Sequence, residues 1–270
     1  MHRPMYRLGI EEIAYATGVL GGNEAAALYL RSHLEDRPPL ELNGRLLAAS
    51  HALVARGLLD FDMESGAKRL EPEFAVLIET LARARCSLRV SRRSRTAQAI
   101  MGMTFGDGAV VDHRIERAVV GTLELLPAQE AAVERIRTFL GLNATGSPDT
   151  QPNHPAATFP AELLSGLERT DPVPSGKRVE TLMAAAGLSP AMARDFAEDV
   201  AGWTLRGSLL QLAPVASQAA LQIETKRGAL VLCGSSRQWL VELAAPEANL
   251  ARLYPYHPET LSALVGRLTA

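Results

Sequence analysis

The chain has 270 residues, of which 47% are apolar and 21% charged, and a formal net charge of −2. That is ample material for one large core or two ordinary ones, and it excludes a disordered chain. It also excludes a general polyanion binder, which needs an excess of Lys and Arg clustered on one face.

No apolar run approaches the ~18 residues a membrane span needs. The opening MHRPMYRLGIEEIAYA lacks the apolar stretch of a signal peptide, so a cytoplasmic address with no membrane partner is expected. Cys86 and Cys233 both fall in predicted strands and are expected to be buried free thiols rather than a disulfide.

In chain order, Gly9 to Thr17 carries Ile10, Ile13 and Ala14 on one helical face, ended by Gly21-Gly22. A second helix follows from Asn23 through Leu28, Leu30 and Leu34. After Pro38-Pro39 comes a third, with an apolar stripe of Leu42, Leu46, Leu47, Leu53 and Val54 and an end at Gly57. LLDFD and KRLE are short extended pieces joined by a turn at Gly66, and Pro72 opens a fourth helix burying Phe74, Leu77, Ile78 and Leu81. Helix, hairpin and helix in this order are winged-helix-like. As a DNA reader the module would use Leu42–Arg56, offering Asn43, Arg45, Ser50, His51 and Arg56, but basic residues are not concentrated there.

A first β-meander is expected in Ser87–Arg92, Gln98–Phe105, Ala109–Ile115 and Ala118–Leu125, with FGDG as a hairpin turn and a helix over Ala128–Leu140. Asn143–Ala157 reads as a linker. Beyond it VETLMAAAGLS reads as a helix, Pro190 opens another, and a second meander covers Ser208–Pro246 with a turn at Lys226–Gly228. A broken helical region follows Pro246, and Pro258 begins the last helix, with Leu261, Leu264, Val265 and Leu268 inward.

The two meanders read as a duplication. Gln98-Ala99 answers Gln218-Ala219, Gly108-Ala109 answers Gly228-Ala229 and Arg117 answers Arg237, all 120 residues apart. The expected fold is therefore α+β: a quasi-twofold duplicated unit with a central antiparallel sheet and helical subdomains. The halves are 1–142 and 158–270, joined by the linker 143–157 and packed as one globular unit.

Catalytic signatures are absent. PSGKRVE has Asp171 where a phosphate loop needs glycine, and Ser65-Gly66-Ala67-Lys68 lies in the wing rather than at a helix start. Asp112 and His113 are strand neighbours pointing to opposite faces, poor geometry for shared metal ligation, and a surface hairpin accounts for them and Glu116. No metal, cofactor or enzymatic activity is implied. Trp239 is expected in a core. The second half is rich in apolar side chains, some of which would suit a docking surface for an amphipathic helix.

The order of pieces resembles the EspG family, cytosolic chaperones of type VII secretion that escort PE–PPE proteins. The resemblance spans nearly the whole chain. It rests on the helical part ending in ALVARGLLDFD, the two sheet-and-helix halves, and the closing TKRGALVL, QWLVEL and YPYHPETLSALVGRL. It implies a non-enzymatic chaperone or adaptor covering the hydrophobic tip of a helical secreted partner, through a sheet face, a hairpin loop and a C-terminal helical bundle. On this chain those fall at Arg92, Arg93 and Arg95, at Gln218, Leu221 and Ile223, and at Met183 and Leu188; the Arg92–Thr96 loop is shorter than the resemblance leads one to expect. The alternatives are a winged-helix DNA-binding regulator with a C-terminal effector or dimerisation part, and an unrecognised enzyme. A homodimer stays open.

Overall fold

The structure is a computed structural model that describes residues 4–34, 38–116, 120–145, 152–164, 176–216, 221–243 and 249–270. Gln218, Arg117 and residues 146–151 of the expected linker lie outside the described residues, as do residues 244–248 of the expected broken helix. The fold is α+β, with eight α-helices among the described residues, ten strands in one antiparallel sheet and a separate two-stranded hairpin.

The chain clusters into two compact units, residues 1–87 with 101–129 and residues 88–100 with 130–270. In the first unit, strand β1 (Met5–Gly9) pairs with β7 (Val120–Leu126), β7 with β6 (Val110–Glu116) and β6 with β5 (Gln98–Phe105). Helices α1 (Ile10–Val19), α2 (Asn23–Leu34), α3 (Pro39–Ala55) and α4 (Pro72–Ala82) supply its helical part, with β2 (Leu59–Phe61) and β3 (Lys68–Leu70) as the hairpin. Tyr6, Leu8, Ile13, Leu53, Phe74 and Ile78 meet Val111 and Leu123 in one apolar core. Pro72 opens α4, and the Glu71 carboxylate accepts from the backbone N–H groups of Glu73 (3.0 Å) and Phe74 (2.7 Å), satisfying two donors that a helix start leaves without partners.

The second unit holds most of β4 (Cys86–Ser94), then β9 (Leu205–Ala216), β10 (Leu221–Cys233), β11 (Gln238–Leu243), β12 (Leu250–Pro255) and β8 (Ala157–Pro160), neighbours in that order. Helices α6 (Gly176–Ala185) and α7 (Pro190–Ala201) cover one sheet face, where Phe159, Trp239, Val241 and Leu253 pack against Val179, Met183, Phe196 and Val200. The opposite face meets α8 (Pro258–Thr269): buried Glu242 accepts from Arg267 Nε (2.8 Å) and from the Tyr254 hydroxyl (2.9 Å). Helix α5 (Gln129–Phe139) follows β7 as α8 follows β12. Both cysteines are free and buried, and Trp239 is fully buried.

The repeat is present in the topology, but not at a constant offset of 120. The run α4–β4–β5–β6–β7–α5 returns as α7–β9–β10–β11–β12–α8. Arg85 N donates to Phe105 O (3.0 Å) as Thr204 N does to Cys233 O (2.9 Å), and Gly106 N donates to Ala109 O (3.0 Å) as Gly234 N does to Arg237 O (3.0 Å). The turn Gly106-Asp107 therefore answers Gly234-Ser235, and the second hairpin is the longer: β9 and β10 have 12 and 13 residues against 9 and 8 in β4 and β5. Lys226–Gly228 is not a turn. It lies inside β10, where a β-bulge separates the pairs Thr225–Leu212 and Arg227–Gln211. An alternating apolar pattern matches itself at any even offset, so the pattern alone does not choose between these alignments.

Two further expectations change. Leu250–Pro255 is a strand, with Ala251 and Leu253 buried and Leu250 and Arg252 turned outward; the alternation outweighs the helix propensity of Leu, Ala and Arg. On α3, Leu53 is buried, but Leu47 and Val54 are exposed and so stand off the buried stripe.

The hub of the second unit is Asp199 on α7, which is inaccessible to solvent. Its carboxylate accepts from Ser236 N (2.8 Å), Arg237 N (2.9 Å) and the Trp239 indole N–H (2.9 Å). Gly234 is required beside it, because a Cβ there would stand 2.0 Å from Asp199 Oδ1.

Asp199→Ala leaves three donors without their acceptor, the Trp239 indole N–H among them fully buried, and is expected to cost about 3 kcal/mol of unfolding free energy. Gly234→Ala should be comparably severe, and Leu47→Ala, on an exposed position, should stay within about 0.5 kcal/mol. Urea denaturation measures all three, and a loss under about 1 kcal/mol for Asp199→Ala would contradict the role assigned to the carboxylate. Burial raises the Cys233 thiol from 9.0 to about 11, with smaller opposing effects of Gln238 and Asp199. The fold favours the neutral thiol, so this contribution is complete below about pH 9 and lost as pH rises toward 11. A thiol reagent at pH 8 should leave both cysteines unmodified until urea is added, and the urea midpoint should fall between pH 9 and 11.

Candidate functional site

Leu230 and Leu232 of β10 stand in register with Ser208 and Arg206 of β9, and with Val241 and Trp239 of β11, so the six share one sheet face. Toward β12 this face is closed by α6 and α7. Toward β4 the cover stops, leaving a groove of about 230 Å³. Its floor is Leu230, Leu232 and Val241, its wall is Phe196 and Val200 of α7 with Leu164, and its far rim is Ser91, Arg93, Gln98, Arg206 and Ser208.

The rim is ordered by its own contacts. Ser91 Oγ and Ser208 Oγ are 2.7 Å apart, and the Arg206 guanidinium lies 4.5 Å from the centre of the Trp203 ring. Arg93 is exposed. An apolar floor beneath two guanidinium groups and two hydroxyls can seat aliphatic or aromatic side chains and hold a polar or acidic group at the margin. No acid–base pair or nucleophile converges there, and among the described residues no group of three or more His, Cys, Asp or Glu could hold a metal ion.

Of the residues expected at a partner surface, Arg93 lines this groove. Arg92 turns to α5, donating to Phe139 O (2.8 Å) with its guanidinium over the Phe139 ring (5.3 Å). Arg95 is exposed in the turn after β4. Met183 and Leu188 are 2% and 4% exposed and belong to the core behind α7, so they shape the helical wall from within. Leu221 and Ile223 are in β10, their backbones paired with Ala216 and Pro214. The reading missed Phe196, Val200 and Arg206. The run Leu-Val-Leu at 230–232 with Trp203 and Arg206 marked a buried strand, but nothing in it marked where the helical cover stops.

Elsewhere, Asp112 is buried rather than on a surface hairpin, and Arg114 holds it at 2.7 Å. His113 Nε2 lies within hydrogen-bond distance of the Tyr29 hydroxyl (3.1 Å), whose own ionisation burial pushes upward. On the helix that would read DNA, Arg45 is tied to Glu11 (2.8 Å) and Glu41 (3.1 Å), and Arg56 to Glu12 (3.0 Å). A larger cleft of about 730 Å³ lies among α1, α2 and α3, lined mainly by Ala and Leu, with Lys68 at its edge 5.1 Å from the Tyr15 ring. No described helix is long and apolar enough to cross a membrane.

No family model and no curated protein sequence matches the chain. Among solved structures it is similar to the Mycobacterium tuberculosis type VII secretion system chaperone EspG5, solved in complex with the PE25–PPE41 dimer. The TM-score is 0.60 at 10% identity, over 98% of this chain and 95% of that one. At that identity the likeness shows the fold alone.

A groove with an apolar floor and basic rim should bind the anionic dye 1-anilinonaphthalene-8-sulfonate. Arg93→Glu is expected to weaken that binding about fivefold, in keeping with an exposed charge worth about 1 kcal/mol. Leu230→Gln should abolish the fluorescence gain while circular dichroism stays unchanged. Equal dye binding by both variants and the parent chain would place the dye elsewhere.

Proposed function

We propose that this chain is a non-enzymatic cytosolic chaperone or adaptor that covers the apolar helical tip of a secreted, PE–PPE-like protein. The observation that carries the reading is the likeness of fold to a type VII secretion chaperone over almost the whole chain. It is joined by a groove of about 230 Å³ on the sheet face. That is below the roughly 300–1,000 Å³ of small-molecule sites and suits a few side chains presented by a partner. Arg93 stands at its rim as a polar contact, and Arg95, Gln218, Leu221 and Ile223 are proposed to extend the surface.

Each aliphatic or aromatic anchor seated on Leu230 and Val241 contributes about 2 kcal/mol by leaving water. Binding dominated by such anchors is only weakly dependent on salt. Regulation of DNA is the weaker reading, because Arg45 of α3 and Arg56 just past its end already answer to Glu11, Glu41 and Glu12, leaving little charge to neutralise phosphates.

Co-expression with a PE–PPE heterodimer should give a complex that co-elutes in gel filtration at about 0.1 and 0.5 M salt alike, and Leu230→Glu should remove it. Failure to capture such a helical pair, together with duplex DNA binding that collapses as salt rises, would overturn the proposal.

A further inference from the structure

Helix α3 carries a second apolar face, directed at solvent. Leu40, Leu47 and Val54 are 85%, 59% and 41% exposed, and they recur at intervals of seven along the helix. The exposed residues between them on that side are Asn43, Gly44, Ala48 and His51, none carrying a fixed charge. The helix keeps its charges off this stripe: Glu41 and Arg45 pair with each other, and Arg45 also with Glu11. The inward side is separate, formed by Ala49, Ser50 and Leu53.

Apolar residues spaced by seven are the seam of helix-on-helix packing, in which each side chain enters a hollow on a facing helix. We infer that this chain self-associates through α3, two copies crossing antiparallel about Leu47. The occupant follows from the order of residues on the stripe. Read from either end it presents aliphatic, polar, aliphatic, polar, aliphatic. An antiparallel partner therefore sets Leu40 opposite the partner's Val54, Asn43 opposite the partner's His51, and Leu47 opposite the partner's Leu47. Asn43 and His51 can hydrogen-bond across the pair twice, and Gly44 and Ala48 lower the surface so that the helices can close. With no fixed charge on the stripe, two identical faces meet without repulsion, whereas a charged foreign helix would find nothing to pair with. The contact is isologous, as closed dimers require. One helix pair covers less than the ~800 Å² per partner of a standard interface, so the dimer is weak, with a dissociation constant of about tens of micromolar.

The proposal stands apart from the chaperone reading: it concerns α3, not the sheet groove, and either can fail alone. Sedimentation velocity on the full chain from about 1 to 300 μM should show monomer passing into dimer across tens of micromolar. Leu47→Glu should weaken self-association at least about tenfold and leave the melting temperature unchanged, as befits an exposed site. Leu47→Cys, oxidised with copper phenanthroline, should yield a covalent dimer. Leu40→Cys alone should not, but mixed with Val54→Cys it should cross-link to it. This readout remains decisive if Leu47→Glu disturbs folding. A chain that stays monomeric over the whole range, or one that dimerises while Leu47→Cys cross-links no better than Leu40→Cys, overturns the inference.

Discussion

A carboxyl group cut off from water is costly unless its oxygens accept hydrogen bonds, and Asp199 meets that demand with the turn between β10 and β11. The helix, the turn and the Trp239 indole are thereby fixed as one piece. Phe196, one helical turn back on α7, meets Trp239 edge-on with ring centres 5.2 Å apart. That contact sets the height of the helix above the sheet, and so the wall of the groove. The ion pair of Arg237 with Asp195 (2.9 Å) closes the same turn from the rim, where screening leaves it a minor part.

The first copy of the motif solves the same meeting of helix and turn with a neutral group. Thr80 is buried on α4 beside Gly106, its hydroxyl donating to Val76 O (2.8 Å). A Cβ at Gly106 would lie 3.0 Å from Thr80 Cγ2, a tight fit against a methyl, whereas at Gly234 the Asp199 carboxylate leaves no room for one. The copies then diverge in the hairpin. The longer β9 and β10 carry the second hairpin beyond the length of the first, whereas the candidate docking surface lies in the part the copies share, on Leu230, Leu232 and Val241, where the helical cover stops toward β4.

Most helices were legible because their signals are local. Pro72, Pro190 and Pro258 each stand in the first turn of a helix, and Phe74, Leu77, Leu261 and Leu264 fall inward at helical spacing. The strands from Cys86 to Leu126 were also close to their observed places. What escaped was set by distant partners. Leu250–Pro255 becomes a strand because β11 and β8 take its backbone hydrogen bonds on either side. The exposure of Leu47 depends on what packs beneath α3, and the groove on where α7 ends over the sheet. No window of sequence holds that information. Arg92 is the instructive case in the candidate site: the basic turn was legible, but not that Phe139 draws one of its arginines away.

The bulge at Lys226 decides more than a local kink. Inside it Gly228, Leu230 and Leu232 pair with Leu210, Ser208 and Arg206; outside it Thr225, Ile223 and Leu221 pair with Leu212, Pro214 and Ala216. The partners on β9 are even-numbered throughout, whereas on β10 the parity changes from even to odd across one inserted residue. That residue acts as a phase shifter. Loss of one codon there would shift every backbone pair beyond it by one residue, so the pairing of the outer hairpin is encoded in a residue count.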